Sequence, residues 1–251
     1  MFEKRINKLF PYTTAEEWDN IGLQIAGDNI IIKKVLLTLD LNLQVLEYAK
    51  THNFGLIISH HPLIYKAISN IIAYDDHKSY IIRELLMANI AFIVLHTNLD
   101  KYFYDLLSKK LNLKNIKAFS DEGWGSYGKL AHPVPLKKFI QEVKKKLHIR
   151  NVRYTGADNK IIRSVACIGG SGGVFINKQL SQKKIDVLLT ADIKYHTAQM
   201  ADDLGISVID AGHYQTENIM MDELKNKLEK AFKNKVKFEK SSIKTDPIKY
   251  D

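Results

Sequence analysis

Apolar residues along this chain fall into short solid runs separated by stretches with helical spacing, and that alternation predicts the fold. Residues 34–40 (KVLLTLD), 55–59 and 90–95 are too short for buried helices and read as strands covered on both faces. Between them, 42–51, with Asn42 as N-cap, and 78–88 carry helical spacing. Residues 100–111 read as one more helix, and 2–10 as a short amphipathic helix ended by Pro11. Further on, strands are predicted at 152–155, 161–168, 186–190, 206–210 and 235–238, and helices at 135–147, 195–204 and 217–233. The βαβα order predicts an α/β protein of two three-layer α/β domains. The glycine cluster GWGSYG (123–128) marks a crossing. A first domain is therefore expected over 1–123, a second over 124–205, and over 206–251 a return segment that completes the first domain and brings it His213 and Glu217.

Candidate chemistry sits where the strands stop. The run 55–58 ends in Ser59-His60-His61-Pro62. In a continuing strand the two imidazoles would point to opposite faces, but Pro62 lets the backbone turn and aim both into one crevice. Ligand sites of open α/β sheets lie outside the carboxyl ends of the strands. The next strand ends in His96-Thr97-Asn98-Leu99-Asp100, and the strand 206–210 in Ala211-Gly212-His213, with Glu217 four residues on, the spacing of one helix face. Asp100 and Glu217 equally suit an acid in the first turn of a helix. Histidine at three separate strand ends, with a carboxylate four residues after two of them, favours one site over three accidents. Its nitrogen and oxygen donors suit Zn²⁺, Fe²⁺ or Mn²⁺ and disfavour Cu(I) and Fe–S clusters. His196, which follows the strand 186–190, is expected to face the site from the second domain. His52, His77, His132 and His148 are assigned to helices or loops with no such role, and Asp19 is given no ligand role. The loop Gly169-Gly170-Ser171-Gly172-Gly173 reads either as an anion cradle or as a plain tight turn, since it is neither a Walker loop nor a dinucleotide fingerprint.

Charge and composition narrow the picture only a little. The net charge of +9, much of it in lysine-rich segments such as 144–146 and 225–240, favours anionic partners or a solvated lysine surface. The single cysteine, Cys167, excludes a disulfide framework and a thiolate zinc cluster, and its apolar surroundings predict an inert buried thiol. The absence of a hydrophobic signal core or membrane-length apolar stretch predicts a cytoplasmic protein with no membrane partner.

With these residues collected, the chain resembles the dinuclear metal-centre family of GTP cyclohydrolase 1 type 2, or Nif three-like, proteins. The stretches that carry the likeness are EEWDNIGLQIAG (16–27), SHHPLIYKAIS (59–69), HTNLD (96–100), VACIGGSGG (165–173), LLTADIKYHTA (188–198) and IDAGHYQTE (209–217). They span nearly the whole chain, in the short form without an inserted domain. The resemblance implies two α/β domains with a di-metal cleft between them and a toroidal homohexamer. It implies two divalent ions per chain, zinc or iron with manganese as the alternative, held by His60, His61, Asp100, His213 and Glu217, with Glu217 touching both and His96 lining the site or carrying a proton. After Asp100 the chain departs from the family, with Lys101-Tyr102-Phe103-Tyr104-Asp105 in place of a glycine-rich turn.

The function implied is metal-dependent hydrolysis of a purine nucleotide, the opening of the imidazole ring of GTP, with Lys66, Lys194 and His196 as candidate substrate contacts. Two other classes stay open: a metal-binding or metal-delivery protein, and a basic ring that interacts with nucleic acid. No recognised nucleic-acid motif supports the last.

Overall fold

A computed structural model describes residues 2–28 and 31–249, with the backbone alone for Lys178 and Gln179. In chain order the elements are α1 (Phe2–Leu9), β1 (Gly22–Ile25), β2 (Lys34–Thr38), α2 (Leu43–Thr51), β3 (Leu56–Ser59), α3 (His77–Met87), β4 (Ala91–Val94), α4 (Thr97–Tyr102) and α5 (Leu106–Lys110). They continue as β5 (Lys114–Ala118), β6 (Ser126–Pro135), α6 (Leu136–Leu147), β7 (Arg153–Tyr154), β8 (Ile161–Cys167), α7 (Lys178–Gln182), β9 (Val187–Thr190), α8 (Tyr195–Asp203), β10 (Ser207–Asp210), α9 (His213–Glu217), α10 (Ile219–Phe232) and β11 (Lys237–Lys240). This is an α/β protein with two sheets, divided into two compact units: the chain up to Leu99 together with Met220–Lys249, and Asp100–Ile219.

The first unit holds a sheet in the order β1-β4-β3-β2-β11. β4, β3, β2 and β11 run parallel, and β1 is antiparallel at the edge. β3 and β4 are buried along their whole length, as strands covered on both faces must be. Leu36, Ile57, Phe92 and Val94 pack on one face with Val45, Leu46 and Ala49 of α2 and Ile81, Ile82 and Leu85 of α3. α2 begins with the cap that the sequence predicts, and α3 begins at His77, one residue early, on a cap that the sequence reading did not name. Asn42 accepts the Val45 N–H at 3.0 Å, and Asp76 accepts the Ser79 N–H at 2.8 Å.

The second unit holds the order β5-β6-β8-β9-β10-β7, with β8, β9 and β10 parallel at its centre. Alternation along the strands makes two cores. Val165, Cys167, Val187, Leu189 and Ile209 pack with α5 and α6, while Ala166, Ile168, Leu188 and Val208 pack with Leu180 and Ala201. Burial pushes the Cys167 thiol up to about 12, which makes it the inert side chain expected.

Five local expectations are corrected. The helix predicted over 100–111 is two, α4 and α5, parted at residues 103–105. β5 is a strand that the sequence hides, because every residue in it is exposed or half-exposed. GWGSYG is not a crossing: its first half, with Gly123 and Gly125 in the positive-φ region that the turn requires, closes the connection from β5, and its second half opens β6, where Ser126 and Tyr127 pair antiparallel with Ala118 and Lys117. His132 therefore lies in a strand, β6. The two prolines of that strand, Pro133 and Pro135, are tolerated because β5 pairs only as far as Lys129, which leaves that half of β6 an edge on one side. The return begins at Met220 rather than at 206, because β10 pairs with β9 and β7 and so belongs to the second sheet.

Candidate metal centre

In the first unit the three neighbouring strands β2, β3 and β4 stop in register, with Thr38 beside Ser59 and Ser59 beside Val94. Just beyond those ends stand Asp40, His60 with His61, and His96. The turn after β3 is held by the backbone of its neighbour: His61 N–H donates to Leu39 O at 2.9 Å, and Ser59 Oγ donates to His61 O at 2.7 Å. The chain thereby leaves strand geometry and both rings swing the same way. The centroids of His60 and His61 are 5.0 Å apart, and those of His60 and His96 are 5.1 Å apart. Each of these three histidines offers one nitrogen, and the three nitrogens lie within 4.8 Å of one another.

Each ring is fixed from behind. His60 Nδ1 lies 2.9 Å from Leu95 O, His61 Nδ1 lies 2.7 Å from Asp40 Oδ1, and His96 Nδ1 lies 2.9 Å from Asp19 Oδ1. A carbonyl oxygen can only accept, so Nδ1 of His60 carries the proton and Nε2 of the neutral ring carries the lone pair. Nδ1–H donated to a carbonyl or carboxylate is the arrangement that orients a metal-binding imidazole. Asp19 is itself braced, since Thr97 donates to its Oδ2 through both N–H and O–H, at 3.1 and 2.6 Å. Burial alone would raise the Asp19 pKa, but the hydrogen bonds from His96 and Thr97 outweigh it and hold the carboxyl below its ordinary value.

The second unit repeats the device. β9 and β10 stop in register, with Asp210 beside Thr190. Asp210 accepts the N–H groups of Ile193 and Gly212 and an Arg153 guanidinium hydrogen bond, fixing the turn into α9. That helix begins at His213, so His213 and Glu217 share a face one turn apart. His213 Nδ1 lies 2.6 Å from Asp192 Oδ2, and its Nε2 lies 3.0 Å from Glu217 Oε2. Asp192 holds that position in the left-handed region, at φ 55°. Burial alone would lower the His213 pKa, but the Glu217 and Asp192 carboxylates push it up to about 9. Oxygens of Asp100 and Glu217 come within 4.8 Å of each other.

The glycine loop is a tight turn, with Gly172 N–H donating to Gly170 O at 3.0 Å. Gly170 N–H donates to Thr216 Oγ1 at 3.0 Å and Gly172 N–H to Thr190 Oγ1 at 2.8 Å, so these two amides serve the fold. A Cβ on Gly170 would stand 2.1 Å from Glu217 Oε1. The bare backbone at this position makes room for the glutamate.

The first group offers three imidazole nitrogens, and the second an imidazole nitrogen with carboxylate oxygens; these donors suit Zn²⁺, Fe²⁺ and Mn²⁺, and the anchored Nδ1 atoms fit such an ion. His60, His61 and His96 form a group that could hold a metal. The expected substrate contacts fare differently. His196 is exposed and turned to its own helix, with Nδ1 2.9 Å from Gln199 Oε1. Lys194 stands at the N-terminal end of α8 and lines a cavity of about 230 Å³ with Arg153 and Tyr195. Lys66 is an exposed residue a few positions past Pro62.

The sequence reading missed the carboxylates behind the rings: Asp19, Asp40 and Asp192. Two of them were within reach of the same logic, since Asp40 and Asp192 each stand two residues beyond a strand end.

Comparison with known proteins places the chain in a family. A protein of Clostridium acetobutylicum named GTP cyclohydrolase 1 type 2 homolog is 30% identical over 236 residues, covering 90% of this chain and 87% of its own length. A Staphylococcus epidermidis protein of the same name is 29% identical over 360 residues, covering 98% and 97%. The crystal structure of Staphylococcus aureus hypothetical protein SA1388 superposes with a TM-score of 0.90 at 31% identity, covering 100% of this chain and 98% of the other. The family model described as Duf34/NIF3 (NGG1p interacting factor 3) matches residues 1–247, and the chain belongs to that family.

Proposed function

We propose that this protein is a di-metal-dependent hydrolase acting on a purine nucleotide, opening the imidazole ring of GTP by adding water across a ring C–N bond. His60, His61, Asp100, His213 and Glu217 are the metal ligands in this reading, Glu217 shared between two ions, and His96 carries the proton. The observation that supports it most is the common anchoring of four histidines through Nδ1 to a carbonyl or a carboxylate. The name of the relatives supports the substrate class.

Divalent ions held there supply Lewis acidity, lowering the pKa of water and offsetting charge that develops on the ring. The chain's own residues do the rest. Asp40, Asp19 and Asp192 keep their imidazoles in one tautomer and one orientation, so the ligand atoms need no reorganisation during turnover. His96, with Asp19 behind it, takes a proton at one atom and is returned to the same tautomer afterwards.

The test is turnover. Protein loaded separately with Zn²⁺, Fe²⁺ and Mn²⁺ is incubated with GTP, and the ring-opened product is followed by absorbance and mass. A His61→Ala control should lose activity. Metal-replete protein with no turnover on any purine nucleotide would turn the assignment toward metal binding without catalysis. The toroidal homohexamer is part of the same proposal, and light scattering tests it.

A further inference from the structure

Two aromatic rings beside the first histidine group stand about half exposed. Trp18 is 56% exposed and Tyr65 is 47% exposed. Single exposed rings are ordinary, but these two meet at a corner: their centroids are 6.1 Å apart with an interplanar angle of 64°. The Trp18 ring also lies 6.3 Å from His96, at 77°.

The backbone under both rings is tightly held. Trp18 sits in a turn closed by Asp19 N–H to Glu16 O at 3.0 Å. Thr97 fastens the turn at both ends, because its Oγ1 accepts Glu16 N–H at 3.0 Å and donates to Asp19 Oδ2. Tyr65 follows Ile64, whose carbonyl accepts the side-chain amides of Asn20 and Gln24 and whose N–H donates to Gln24 Oε1 at 2.9 Å. Asp19, Asn20 and Gln24 all belong to the stretch that carries Trp18. One short segment therefore orients His96, presents one ring and fixes the other. Rigid, solvent-facing aromatic surface at a candidate reaction centre is suited to recognising a ligand ring, since stacking needs a flat face already held in place.

We propose that Trp18 and Tyr65 form an aromatic corner that binds a planar heteroaromatic ring, stacked on the Trp18 face with an edge toward Tyr65, which sets that ring beside His96. The inference rests on the hydrolase reading for its choice of a purine as the probe. It assigns the corner a specificity role, and neither ring a place in the chemistry.

The chain has two tryptophans, Trp18 and Trp124, so a Trp124→Phe background makes Trp18 the sole indole reporter. Guanosine, GMP and ribose 5-phosphate are titrated into this protein, chelated and metal-loaded. Guanosine and GMP should quench saturably, and ribose 5-phosphate should not. By calorimetry, Trp18→Leu should weaken GMP binding 10-fold or more with metal content unchanged, Trp18→Phe should recover most of it, and Tyr65→Leu should give a smaller loss. Equal GMP affinity in Trp18→Leu and its parent overturns the corner, whatever the metal content. So does Trp18→Leu changing only the oligomeric state, which would make the corner a subunit contact. GMP failing to bind the metal-replete parent overturns the corner and leaves the metal centre standing. Quenching by guanosine in a protein that takes up no metal upholds the corner and removes the hydrolase reading.

Discussion

Nδ1 of His96 lies 2.9 Å from Oδ1 of Asp19, a residue 77 positions earlier in the chain, and the other oxygen of that carboxylate is held by Thr97. This pair ties the segment ahead of β1 to the end of β4 and sets which nitrogen of His96 is available to a ligand. Asp19→Asn retains the shape and leaves one oxygen where two are needed. Because His96 is read as the proton carrier and not as a ligand, turnover should fall about 10- to 100-fold while metal content stays unchanged. Steady-state rates beside elemental analysis measure it, and an unchanged rate would show that Asp19 only braces the turn.

Gly170 and Gly205 separate crowding from backbone strain. Both have positive φ, 59° and 68°, but a Cβ on Gly170 would stand 2.1 Å from Glu217 Oε1, whereas one on Gly205 would meet nothing within 4 Å. Each change to alanine should cost about 1–3 kcal/mol of backbone strain by denaturant unfolding. Gly170→Ala alone should also lower metal uptake, because Glu217 must move aside. Equal metal content in both variants would count against the loop's role.

Asp76 gives a pH prediction away from the site. Its carboxyl lies below the ordinary aspartate value because the Ser79 backbone N–H and hydroxyl donate to it. A depressed folded value means that the stabilisation is fully present above the unfolded pKa of about 3.9 and is lost as pH falls through the folded value. Asp76→Ala should therefore be less stable than the parent at pH 7, with the gap narrowing below pH 4. Urea melts at several pH values check it, and a gap independent of pH would mean that the cap's charge contributes nothing.

The parallel centres of both sheets were legible because β2, β3, β4, β9 and β10 are short, largely apolar runs buried along nearly their whole length, as β8 is from Val165 on, and a doubly covered strand explains such runs. The histidines were legible because they stand at the ends of those runs. β5 and the far half of β6 were not, since edge strands can be polar and can carry proline. Asp19 was hidden for another reason: its partner is distant in sequence, and nothing local distinguishes a carboxylate that orients His96 from an acid in a turn. The break between α4 and α5 falls at residues 103–105, which the helical spacing of 100–111 did not show.

The central claim is that these strand-end groups hold divalent metal, and Glu217 tests it most directly. It is buried, one turn from His213, with an oxygen within 4.8 Å of one from Asp100. The measurement is elemental analysis of wild type and Glu217→Gln after reconstitution, with circular dichroism on both to establish folding. The account predicts about two ions per chain in the wild type and a folded Glu217→Gln protein that has lost at least one of them. A folded Glu217→Gln protein with wild-type metal content and affinity, or a wild type that takes up no metal, would contradict it.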